Sequence, residues 1–65
     1  MKIESNKNYI VDKYITKGED IEVIGYGELE GAVVKDMLKG YKFDEMFEMW
    51  YSGHANIGYA VQEAR

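Results

Sequence analysis

Three glycines, Gly25, Gly27 and Gly31, form the first arrangement in this chain whose chemistry must be weighed. They sit in Gly25-Tyr26-Gly27-Glu28-Leu29-Glu30-Gly31, after a β-rich run and before a helical period. Glycine loops in that position can bring phosphate against free backbone N–H groups at a helix start. The spacing here is G-x-G-x-x-x-G, one residue longer than the dinucleotide pattern. Glu28 and Glu30 would also put negative charge where phosphate must lie. The stretch reads better as a flexible strand-to-helix connection, so no cofactor is expected.

His54 is the one side chain with an ordinary pKa near neutrality. Ser52 precedes it by two residues, and Asp44 lies further back. A nucleophile–base–acid set needs a geometry that this spacing does not supply, and Trp50-Tyr51-Ser52-Gly53-His54 lacks the first glycine of a G-x-S-x-G elbow. His54 reads as a loop residue near the carbonyls ending a helix, or as a partner contact. The acid groups Glu19/Asp20/Glu22, Glu28/Glu30 and Asp44/Glu45/Glu48 lack the spacing of a calcium loop. They read as solvated faces. With no cysteine and one histidine, thiolate or multi-histidine metal sites are excluded. No catalytic, cofactor or metal residues are assigned, and the expectation is a protein that is not an enzyme.

The chain has 65 residues, which suits one small domain over residues 1–65. A domain of that size buries only about 60% of its unfolded surface, and it needs either an efficient core or a partner. Apolar residues make up 46%, which is too many for a disordered chain. The net charge is −4, with the surplus of acids lying after Lys17. That balance disfavours nucleic acid and anionic membrane, and it favours a partner protein with a basic or mixed surface. No apolar run is long enough to span a membrane, and the first residues lack a signal-peptide core. A complete, soluble, cytoplasmic protein is expected.

Regular elements must position these residues. Residues 8–16 and 21–26 are rich in β-branched and aromatic types, with a polar glycine turn between them. They predict an antiparallel β-hairpin. Leu29–Lys39 carries a helical period through Val34, Met37, Leu38 and Tyr41, with Gly40 as its stop. Phe43, Met46, Phe47 and Trp50 recur at i, i+3, i+4 and i+7, which predicts a second helix over 44–51, with Asp44 as N-cap and Gly53 as stop. The two helices would form an αα-hairpin. Residues 56–65 fit a short helix or, as the alternative, a third strand.

The expected fold is therefore α+β, an N-terminal β-hairpin packed on an αα-hairpin. The expected core is Val11, Ile15, Ile21, Val23, Val33, Val34, Met37, Leu38, Phe43, Met46, Phe47 and Trp50. Both hairpin faces carry large apolar side chains, and two short helices cover only one. Ile10, Tyr14, Ile24 and Tyr26 are thus expected on an uncovered face, with Met49, Tyr51 and His54 as further partner contacts. Tyrosine suits such a face, being large, stiff and tolerant of water. The function expected is a small acidic protein-binding module, an inhibitor or adaptor. Its Pro-poor, Lys/Glu/Ile/Tyr/Asn-rich composition suits a phage, mobile-element or bacterial source, and a homodimer is the self-association alternative. The rival is a helix-turn-helix DNA-binding regulator built from 44–51 and 56–65, which would offer Asn56, Gln62 and Arg65 to bases.

Overall fold

A computed structural model describes residues 2–52 and 56–64. The described residues form one antiparallel five-stranded sheet and one short helix. The strands are β1 (Asn8–Lys17), β2 (Asp20–Glu30), β3 (Tyr41–Asp44), β4 (Met49–Ser52) and β5 (Ile57–Glu63). The helix α1 (Gly31–Met37) links β2 to β3. Strand order across the sheet is β2-β1-β5-β4-β3, so β2 and β3 are its edges and β5 its centre.

The expected β-hairpin is present. Lys17 pairs with Asp20 across a two-residue turn, and Gly18 there has φ 60°, a conformation glycine adopts without a Cβ penalty. The strand then runs further than expected, straight through the glycine-rich stretch. Gly25 and Gly27 lie inside β2, and Gly27 has φ 79° where the register slips around Tyr26. This is a β-bulge, the other setting in which strands use left-handed glycine.

The αα-hairpin is not formed, and the expected α+β architecture gives way to a mostly β one. The first helix covers seven residues, because Leu29 and Glu30 remain in β2. Gly40 has φ 80° and turns the chain into β3. The second expected helix, 44–51, is a hairpin in which Phe43 pairs with Trp50 and Asp44 with Met49. Helix and hairpin share a contact here: i and i+7 meet on a helix, and they also meet across a six-residue reversal. The aromatic content tips the choice, since Tyr, Phe and Trp favour pleated surfaces. An eight-residue helix is also marginal alone, whereas β4 gains a ladder with β5.

Asp44, expected as the N-cap of that helix, instead holds the turn between β3 and β4. Its Oδ1 accepts from the N–H of Met46 at 2.9 Å and of Phe47 at 3.2 Å. The coil ends after one turn, where Glu48 enters the left-handed region at φ 53°. The ambiguous tail is a strand, flanked by β1 and β4. The two segments of the helix-turn-helix reading are therefore a hairpin reversal and a strand, and no recognition helix exists among the described residues.

The core lies on one sheet face. Ile3, Tyr9, Val11, Val34, Leu38 and Tyr59 are buried, with Leu29, Met37, Tyr41, Trp50, Ile57 and Val61 packed around them. Of the expected core, Val11, Val34 and Leu38 are buried, while Ile15, Met37, Phe43 and Trp50 are half-buried. Ile21, Val23, Val33, Met46 and Phe47 are exposed instead. Met46 and Phe47 are moved out by the hairpin turn, which carries them to its tip at 84% and 64% exposure.

The segment before β1 closes one end of this core. Ile3 is buried, and the Glu4 N–H donates to the Tyr9 hydroxyl at 2.8 Å. Gly31 N–H donates to the Lys7 carbonyl at 2.7 Å, and the backbone approach is so close that a Cβ on Gly31 would collide with the Glu4 carbonyl oxygen. Lys7 bridges Glu4 at 2.9 Å and Glu63 at 3.3 Å. The hydrogen-bonded Lys7 ammonium holds the Glu4 carboxyl below its ordinary range.

Candidate interaction surface

Residues directly opposite in an antiparallel pair share a face, so the register sorts every strand residue. Tyr9, Val11, Lys13 and Ile15 of β1 lie with Glu63, Val61, Tyr59 and Ile57 of β5. Trp50 and Phe43 continue this row across β4 and β3. Helix α1 packs on β1 and β2, and Val34 and Leu38 join the core there. Tyr59 is the hub. Its ring centroid lies 5.3 Å from that of Tyr41 and 6.2 Å from that of Tyr26. Burial raises the Tyr59 hydroxyl pKa above its ordinary value, and the Tyr41 and Tyr26 phenols add to the shift.

The opposite face has no covering element among the described residues. Ile10, Asp12 and Tyr14 of β1 lie there, with Ile21 and Val23 of β2. Gly58, Ala60 and Gln62 of β5 continue it, followed by Met49 and Tyr51 of β4. Ile21 and Val23 are 65% and 55% exposed. The absent Gly58 side chain leaves room for a neighbour: a Cβ there would sit 3.0 Å from the Tyr51 ring and 3.1 Å from the Met49 methyl. The Tyr51 hydroxyl lies 3.5 Å from Met49 Sδ, so the two side chains form one ledge over Gly58.

The expected contact residues thus divide between the faces. Ile10, Tyr14, Met49 and Tyr51 lie together on the open face. Ile24 pairs with Lys13 and falls on the covered side, and Tyr26, at the bulge, turns its ring to Tyr59. His54 lies outside the described residues. Periodicity alone missed Ile21 and Val23. The signal was available in the turn, because a Lys17–Asp20 closure pairs Tyr14 with Val23 and Thr16 with Ile21.

One end of the open face is cut by a notch. Pairing of β4 with β5 stops at Tyr59, and beyond it the tip of the β3–β4 hairpin stands away from β5. The notch has a volume of about 750 Å³. Ile10, Phe43, Ala60 and Val61 supply its apolar lining, and Asp12, Glu45, Glu48 and Glu63 its carboxylates. Among the described residues no three of these acids converge as a metal site. No helix among the described residues is long and apolar enough to cross a membrane.

Comparison with known proteins found no matching family model, no similar curated protein and no similar solved structure.

Proposed function

We propose that this chain is a small, acidic, non-enzymatic protein-binding module, an inhibitor or adaptor acting in the cytoplasm through the open face of its sheet. One observation carries the reading. A five-stranded sheet has its core on one side only, and the other side displays Ile10, Tyr14, Ile21, Val23, Met49 and Tyr51. Contiguous apolar surface of this kind marks interaction sites, because leaving it in water is unfavourable at roughly 25 cal/mol per Å². The net charge of −4 favours a basic or mixed partner surface.

Site-specific photocrosslinking in the native host tests this. A benzophenone side chain at Val23 or Tyr51 should trap one defined protein, and the same group at Lys35, on the far side of the molecule, should not. Equal labelling from all three positions would remove the open face as the binding surface. Adducts only between copies of this chain would replace a foreign partner with a homodimer.

A further inference from the structure

We propose that the notch between β5 and the hairpin tip accepts an extended, Lys/Arg-bearing segment of a partner protein as a short added strand. This rests on the reading of the chain as a protein-binding module and specifies what part of a partner it holds.

The first support is the backbone. In an antiparallel ladder, successive residues point their N–H and C=O to opposite sides. Ala64 N–H donates to the Asn8 carbonyl at 2.9 Å, and the Asn56 carbonyl accepts from Thr16 N–H at 2.9 Å. The even-numbered residues of β5 therefore face β1. The odd-numbered ones face the other way, where Tyr59 is taken up by Trp50. Val61 and Glu63 come next in that series. Their main-chain groups point into the notch, past the end of β4, and among the described residues no backbone partner meets them there. An unpaired edge of this kind is a template for an incoming strand.

The second support is charge. Asp12, Glu45 and Glu48 line the notch and make no ion pair among the described residues. Glu63, the fourth carboxylate, is held by Lys7 at 3.3 Å. A strand laid against Val61 and Glu63 would alternate its side chains. One set would meet Ile10 and Ala60, and its charged ends would reach three uncompensated carboxylates. Arginine or lysine fits both demands, with an apolar stem and a cationic head. The volume of about 750 Å³ falls within the roughly 300–1,000 Å³ usual for binding clefts. A second copy of this chain is a poor occupant. Its own long free edge, β2, carries Asp20, Glu22, Glu28 and Glu30 and would bring acid against acid.

The test uses the whole chain and two synthetic peptides, acetyl-Arg-Val-Arg-Val-Arg-amide and its Glu-for-Arg counterpart, followed by amide NMR. The Arg peptide should shift the Val61 and Glu63 amides and slow their hydrogen exchange, and the Glu peptide should do neither. N-methylation of alternate peptide nitrogens should weaken binding at least tenfold, as should the combined change Asp12→Asn, Glu45→Gln, Glu48→Gln, with the unbound spectrum confirming the fold. Equal binding of both peptides, or no binding by either, overturns the proposal. Shifts confined to Val23 and Tyr51 also overturn it, while leaving the open face as the binding surface. Slow exchange at Val61 and Glu63 that appears only as the protein concentration rises would assign the notch to a second copy and overturn it as well.

Discussion

The two faces of the sheet are built from the same residue classes and end in opposite situations. One carries Tyr9, Val11 and Tyr59 beneath Val34 and Leu38. The other carries Ile10, Tyr14, Val23 and Tyr51, with Ile10 and Tyr51 near two-fifths exposed at 43% and 38%. Apolar content does not separate them. What separates them is cover: a seven-residue helix and the segment around Ile3 can shield one side of five strands and no more. The core that stabilises the layer lies on one side, and the surface proposed for recognition lies on the other. A substitution should report which side it strikes.

The widest gap should come from truncating tyrosines on either side. Tyr9→Ala removes a fully buried ring and should cost about 3–5 kcal/mol by chemical denaturation. Tyr51→Ala should change stability by about 0.5–1 kcal/mol at most, and it should weaken partner capture. Similar losses from both would mean that the open face is a second core. Next is Gly31→Ala, whose Cβ meets the Glu4 backbone. It should cost about 1–3 kcal/mol and loosen the Ile3 segment, visible as faster amide exchange at Glu4. Tyr9→Phe keeps the ring and removes the acceptor for Glu4 N–H, for a loss of about 1 kcal/mol. Glu48→Gly relieves a left-handed residue in the turn between β3 and β4 and should stabilise by up to about 1 kcal/mol.

The smallest effect is a pH dependence confined to the covered side. Tyr59 has its folded pKa raised, chiefly by burial, so its contribution is complete below the ordinary tyrosine pKa of about 10. It is lost as pH rises through the folded value. Thermal melts should fall at alkaline pH, and less so in Tyr59→Phe. An unchanged alkaline slope in that variant would show that the hydroxyl is not held in the core.

How much of this was legible depended on whether a local pattern had one solution. Residues 8–26 did, since β-branched alternation closed by a glycine turn has few other readings. Residues 43–51 did not, because Phe43 and Trp50 meet in a helix and in a hairpin alike. The partner that decides between them, Tyr59 on β5, is distant in sequence and enters no local period. The glycine stretch misled for a related reason. Gly27 serves a bulge and Gly31 a close backbone crossing, and both need the neighbouring segment to be seen. The surface was half legible: Ile10, Tyr14, Met49 and Tyr51 share the open face, whereas pairing moved Ile24 and Tyr26 to the other. The notch left no trace in the sequence, being a place where pairing stops.

The position of β5 also governs how this fold can come into being. It follows the other four strands in the sequence, yet the hairpins on either side of it touch through it. Until Ile57–Glu63 is available, β1–β2 and β3–β4 are two ribbons joined through α1 but not paired with each other, and a lone two-stranded ribbon is marginal in water. Assembly must wait for a contact between distant parts of the chain, so it should be slow for its size and cooperative. During that wait the edge of β1 later filled by β5 stands open, and a nascent chain is at its most vulnerable to wrong pairing there.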